Sequence, residues 1–209
     1  MAYHMRMSST SEDLKLRRKP QQARAAARRT KFLDVAAQLI GQMGYEAVTM
    51  TAIAECAEAS IGTLYDYFPD KQAVALSLLA QYTEQSDAHW EATLSATKLR
   101  PKADLACIFV EGILAFVRDR PAYLSLLDAP VAHSRSAAAR QPLRRTFAHA
   151  LEIVNPRIKP THAIVIAQVI VEVLKALLAV YKRITAKEKD LVTREFKKLL
   201  GLYLRDILQ

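Results

Sequence analysis

The stretch TMTAIAECAEASIGTLYDYFPDK, from Thr49 to Lys71, decides how the chain is read. Thr49 carries the hydroxyl of an N-cap, and Met50, Ile53, Ala54 and Ala57 follow at the i, i+3, i+4, i+7 spacing of one helical face. Glu58 and Ala59 make a break and Ser60 opens a second short helix. Pro69 stops that helix, because its ring cannot continue the backbone ladder. In the second helix Ile61, Leu64 and Phe68 are expected on the inner side, which leaves Gly62, Thr63, Tyr65, Asp66 and Tyr67 outside. A residue without a side chain lets another surface come close, and hydroxyls donate to phosphate oxygens. Two short helices at a tight turn, one face apolar and the other rich in hydroxyls, make the pattern of a DNA-reading helix-turn-helix. Asp70 is expected to cap the next helix. Lys71 stands at its start, where the macrodipole disfavours a cation, so a phosphate explains it better than local stability does.

The residues before this stretch fit the same picture. From about Ala23 a helix is expected, with Phe32, Val35, Ala36, Leu39, Ile40 and Met43 on one stripe and Gly44 as its stop. Arg24, Arg28 and Lys31 lie off that stripe, where a DNA backbone would run. Residues 1–22 show scattered polar and basic residues, Pro20 and no sustained period, and read as a flexible basic arm. Of the chain's net charge of +9, the first 31 residues hold nine cations and two carboxylates, leaving +2 for the remainder. Beside a helix-turn-helix, such a concentration points to a polyanionic partner, double-stranded DNA, rather than to a solubility tail.

The run from Ala57 to Lys71, preceded by Thr49 to Ala54 and extending back through Gly44 and Tyr45 to about Arg24, resembles the DNA-binding domain of the tetracycline-repressor-like (TetR) family of bacterial transcription regulators. The GTLYxYFxxK pattern of Gly62 to Lys71 is the specific part. The sequence departs from the family at two places: Glu58 fills the turn position usually held by glycine, and Ala52 stands where an acidic capping-box residue is common. The resemblance implies that Thr51, Ser60, Ile61, Gly62 and Thr63 approach base edges or adjoining phosphates, with Ile61 offering an apolar contact such as a thymine methyl. It implies that Tyr65, Tyr67 and Lys71 clamp phosphates. It further implies an all-α protein, an N-terminal three-helix bundle with the helix-turn-helix followed by a C-terminal helical domain that binds a ligand and dimerises.

The division expected is a reader over residues 23–70 and a second domain over 71–209. After Lys71 a long helix should reach about Thr97, the only continuous link to the later helices. Leu105 to Val117 is expected to form a strongly apolar helix, Pro121 to start a short one, and Asp128 to Pro142 reads as a mobile loop or a frayed helix. Leu143 to Val154, Pro160 to about Ile184, and Ala186 to Leu208 follow as helices. The aromatic and branched residues of the middle helices, Trp90, Phe109, Ile113, Phe116, Tyr123 and Phe147, are candidates for an effector cavity, with core packing as the alternative reading. A small lipophilic or aromatic molecule is the expected ligand. The helix from Pro160 has so narrow a polar line that a partner subunit should cover it, and Val169, Val173, Phe196, Leu200 and Tyr203 are the candidate interface of a homodimer built on the last two helices.

With 51% apolar residues and only five glycines, a mostly helical globular protein is expected. Cys56 and Cys107 show no paired spacing, so neither a disulfide framework nor a zinc site is expected, and no cofactor is implied. The N-terminus has no apolar signal region, and the most apolar run, Ala163 to Val180, contains Gln168, Glu172 and Lys175. A cytoplasmic protein with no membrane partner is the reading. His4, His89, His133, His149 and His162 are scattered; His89 with Trp90 and His149 with Phe147 either line a pocket or, the favoured reading, are half-buried polar tips, and no catalytic fingerprint is present. The expected function is a ligand-responsive repressor that binds a palindromic operator as a dimer. Its rivals are an architectural DNA-binding protein without an effector and, less favoured, a helical small-molecule enzyme.

Overall fold

The structure, a computed structural model, describes residues 9–96, 104–130 and 141–208; among them the chain is helical with no strand. The helices are α1 (Ser9–Met43), α2 (Met50–Cys56), α3 (Ile61–Tyr67), α4 (Lys71–Ala96), α5 (Leu105–Arg118), α6 (Pro121–Asp128), α7 (Gln141–Val154), α8 (Pro160–Tyr181) and α9 (Ala186–Leu208).

The first helix departs from expectation: it starts at Ser9, so residues 9–22 are helix and not an irregular arm. Pro20 removes one backbone donor, but the residues around it are mostly Leu, Lys, Arg, Gln and Ala, whose helix propensities are among the highest. Gly44 ends α1 at φ +83°, with its N–H donating to Ile40 O at 2.9 Å. The expected loop between α6 and α7 falls mainly on residues 131–140, outside the described residues, as do His4 and His133.

Phe32, Leu33, Ala36 and Ile40 of α1 close over Ile53 and Ala54 of α2, Leu64 of α3 and Phe68, all nearly inaccessible to solvent. Burial of each large apolar side chain contributes about 1.5–3 kcal/mol, so these positions alone outweigh the modest propensities of two seven-residue helices. The first half of α4 joins the same core through Val74, Ala75, Leu78 and Leu79, and its second half delivers Trp90 to the core of the remaining helices. Contact between the two regions is also direct. A Cβ built on Gly41 of α1 would lie 2.9 Å from Pro121 Cβ at the start of α6, so a glycine there lets the helices touch.

In the second region α7 packs on α8, and α9 on α5 and α8. Gly112 lets α5 approach Trp90, whose ring would be 2.6 Å from an added Cβ. Asp104 caps α5 by accepting from Cys107 N at 3.0 Å. At the start of α9, Glu188 accepts from the N–H and hydroxyl of Thr185 at 2.8 Å each, and these bonds hold its carboxyl below the usual range. Asn155 donates through Nδ2 to Ile207 O at 3.0 Å, tying the α7–α8 turn to the end of α9.

Candidate nucleic-acid interface

The three caps read from the sequence are present, Asp70 Oδ1 accepting from Ala73 N at 2.7 Å at the start of α4. Thr49 Oγ1 accepts from Ala52 N at 3.1 Å, and Ser60 Oγ accepts from Thr63 N at 3.1 Å while sharing a 2.8 Å hydrogen bond with Thr63 Oγ1. Between them Glu58 takes φ +54°, the left-handed conformation for which glycine is best suited, and its carboxylate lies 3.6 Å from Lys31 Nζ. The turn therefore keeps its form without glycine. Ala52 leaves α2 without an acidic first turn, so no capping box supplements Thr49.

On α3, Leu64 is buried and Gly62 and Tyr65 face solvent, Tyr65 with half of its surface exposed. Ile61 is a correction. Its spacing with Leu64 and Phe68 predicts the inner side, yet it is 40% exposed, because its place in the first turn carries it past the edge of the core that those two residues fill. Gly62 is informative. An added Cβ would meet nothing nearer than Ser60 Oγ at 3.9 Å among the described residues, and the backbone is ordinary helix, so no contact among them requires a glycine. A helical glycine costs about 0.5–1 kcal/mol relative to alanine, and no close contact among the described residues offsets that cost here. Thr51 is exposed on α2, and Arg24 and Arg28 are exposed on α1.

Two of the expected phosphate contacts turn partly inward. Tyr67 is half-buried, its ring 5.6 Å from that of Phe32. Lys71 donates to Tyr45 O and Glu46 O at 3.1 Å each and stands 4.5 Å over the Tyr45 ring. Local stability thus accounts for this lysine better than the sequence suggests: its ammonium holds the turn between α1 and α2. Arg29, not singled out in the sequence, likewise turns inward, donating to Ser77 Oγ at 2.9 Å and covering the Phe68 ring at 5.2 Å. No local pattern signals this, since Ser77 is 48 residues away.

The six candidate effector residues are brought together, but as a packed cluster. Trp90, Phe109, Phe116 and Phe147 are inaccessible and Ile113 nearly so. Ring centroids stand 4.7 Å apart for Trp90 and Phe147, 4.4 Å for Phe109 and Phe147, and 5.2 Å for Phe116 and Tyr123. These are favourable edge and tilted contacts, and they describe core packing. Within the cluster Trp90 Nε1 has no acceptor among the described residues, whereas His89 Nε2 meets Gly112 O at 2.8 Å, as a satisfied half-buried histidine would. An open cleft of about 530 Å³ lies elsewhere, between α1, α4 and the α5–α6 junction, where Arg120 donates to Gln85 Oε1 at 2.7 Å. Sequence periodicity could not find it, because its walls come from separate elements.

Of the five candidate interface residues, Val169 and Tyr203 are more than a third exposed and Val173 and Phe196 half-buried. Leu200 is a correction: it is inaccessible, facing the chain's own core, and its neighbours Leu199 and Leu202 point outward, each about half exposed. On α8 the exposed large apolar residues are Ile164, Val165 and Val169. Helix α8 is long and apolar enough to cross a membrane by length and composition, and less than half of its most apolar window is buried within the chain.

Known proteins match both regions. Residues 32–78 fit the family model for bacterial regulatory proteins of the tetR family, from the buried Phe32 of α1 to the buried Leu78 of α4. Residues 103–204 match the tetracyclin repressor-like C-terminal domain. The HTH-type transcriptional repressor KstR of Rhodococcus jostii (strain RHA1) is 46% identical over 61 residues, so the match spans only 29% of this chain and 29% of that repressor. In fold, the chain is similar to a TetR-family transcriptional regulator from Streptomyces coelicolor, at 21% identity and TM-score 0.65 over 86% of this chain and 98% of that one. It is similar also to the transcriptional regulator FadR from Bacillus subtilis, solved in complex with stearoyl-CoA, at 16% identity and TM-score 0.57 over 82% of this chain and 97% of that one. With the reader and the helical bundle each matched by a model of the same family, the chain belongs to the tetR family of bacterial regulatory proteins.

Proposed function

We propose that the chain is a homodimeric repressor whose two α3 helices read a roughly palindromic operator and which a small lipophilic effector releases. The observation that carries the DNA-reading part is the outer face of α3, where Gly62, with no internal reason to be glycine, lies beside exposed Ile61 and Tyr65. Thr51, Ser60, Gly62 and Thr63 approach the groove edge, Ile61 meets an apolar base edge, and Tyr65, Arg24 and Arg28 take phosphates. Tyr67 contributes its hydroxyl end only, and Lys71 acts chiefly by holding the turn against which α3 rests. The repressor sense follows the relative that shares the reader.

Dimerisation is supported by the apolar surface that α8 and α9 leave uncovered. Charged Glu172 and Lys175 interrupt that surface on α8 and pair with each other, an arrangement that suits a subunit interface in the cytoplasm better than lipid. A two-fold axis through a four-helix contact would set the readers about one helical turn, some 34–36 Å, apart.

The effector would enter by parting the aromatic cluster, and Trp90 Nε1 offers it an unused donor. A long-chain acyl group suits such a lining and is the class of molecule bound in the similar FadR structure. The closed packing of the same rings favours the second reading, a regulator without an effector. Titrating the full chain on its duplex with stearoyl-CoA separates the two: release of DNA is expected, and tight DNA binding at saturating ligand contradicts the acyl assignment. For the reader, Tyr65→Ala should weaken binding to a selected duplex at least about tenfold, the effect of losing one or two good contacts. Unchanged affinity would remove α3 from the interface.

A further inference from the structure

Helix α1 is longer than the reader requires. Phe32 is the first of its described side chains to be buried, and every described side chain from Gln22 to Lys31 is exposed. The helix nevertheless begins at Ser9, so 23 residues precede Phe32, about 34 Å of rod at 1.5 Å per residue. A helix of that length without an apolar stripe is marginal in water, because most helical stability in proteins comes from tertiary burial.

Its composition indicates what would supply the missing contact. Between residues 9 and 31 there are eight cations (Lys15, Arg17, Arg18, Lys19, Arg24, Arg28, Arg29 and Lys31) and two carboxylates (Glu12 and Asp13). Arg29 is occupied internally by Ser77 and Phe68. Arg17, Arg24, Arg28 and Lys31 succeed one another at intervals of seven, four and three, the register of a single helical face. Lys31, the last of them, is 3.6 Å from Glu58 in the α2–α3 turn, so the line arrives at the edge of the DNA-reading motif. Apolar residues in the segment are Leu14, Leu16 and a few alanines, with no aromatic residue to anchor a helix in a lipid interface.

We propose that the N-terminal half of α1 is a second DNA-contacting element, a basic helix that follows the phosphates of the duplex flanking the operator and adds affinity without sequence preference. The proposal rests on duplex binding by α3, and it places Arg17, in line with Arg24, Arg28 and Lys31, in a phosphate-contacting role, with Arg18 and Lys19 adding to the positive charge of the helix. Each phosphate neutralised by a cation adds about 0.9 to the slope of log affinity against log salt, and a dimer presents two such helices.

The test compares the full chain with its Arg17→Gln/Arg18→Gln/Lys19→Gln variant on two duplexes that carry the same selected site, one trimmed to about 20 base pairs and one extended to about 50. Glutamine keeps the helix propensity, and an Arg17→Lys/Arg18→Lys variant serves as the charge-preserving control. On the long duplex the glutamine variant should show a salt slope lower by about 2 units or more, and the lysine variant the wild-type slope. On the short duplex all three should bind within about twofold of one another, a difference under 0.5 kcal/mol. Equal slopes on the long duplex would overturn the proposal. So would equal slopes accompanied by loss of binding to phosphatidylserine vesicles, which would assign the helix to a membrane surface instead. Failure of the α3 reading has a different signature: no protein, wild type included, would prefer the selected site to a scrambled one.

Discussion

Gly62 and Lys71 show two opposite uses of a residue that the same motif contains. At Gly62 the chain gives up helix stability where its own packing does not ask for it. Gly62→Ala should therefore raise the stability of the fold by about 0.5–1 kcal/mol in urea titration while lowering affinity for the selected duplex. A variant more stable and equally tight would show that no outside surface approaches there. Lys71 works for the chain. Lys71→Ala removes two charge-assisted hydrogen bonds to the Tyr45 and Glu46 carbonyls and should cost about 1.5–3 kcal/mol in the same titration, with the salt slope of DNA binding changed by less than about one unit. A full unit lost at unchanged stability would return Lys71 to the phosphates. At this scale the sequence is legible where partners are close: Thr49, Ser60 and Asp70 cap residues three positions away. It is not legible for Lys71 and Arg29, whose partners lie 25 to 48 residues distant and leave no spacing to read.

Among the elements, the apolar periodicity of α2 through α9 places the helices well, since burial on one face is what makes a short helix stable. The register within a face is harder to read. Leu199 and Leu200 are adjacent and equally apolar, and only the packing of α9 on α5 and α8 turns Leu200 inward and leaves Leu199 and Leu202 outside. The start of α1 escapes the periodicity for the complementary reason: its first 23 residues have helical propensity without an apolar stripe, and Pro20 has the look of a boundary. The exposed pair yields the test of the interface. Leu199→Glu/Leu202→Glu places two carboxylates on the outer face of α9 and should convert a dimer to monomers in analytical ultracentrifugation at micromolar concentration, with helical content retained. A dimer of unchanged stability would move the subunit contact elsewhere. Leu200→Glu, by contrast, should impair folding itself, because it buries a charge.

The molecule as a whole joins a reader to a helical bundle through α4 and through the Gly41–Pro121 contact of α1 with α6. On the proposed reading a shift of the bundle would reach α3 along these two joints, the route by which an effector among the aromatic rings would alter DNA affinity. Composition identifies the members of the aromatic cluster but not its closure, because counting rings does not show whether space is left between them. The central claim is that two copies of α3, held by one two-fold axis, fit successive turns of a duplex. Selection of bound sites from a random duplex pool by the full chain tests it most directly. An inverted repeat with half-site centres about 10 base pairs, or a multiple of one turn, apart is predicted. Recovery of a single unrepeated half-site, or of no enriched sequence at low salt, would contradict it.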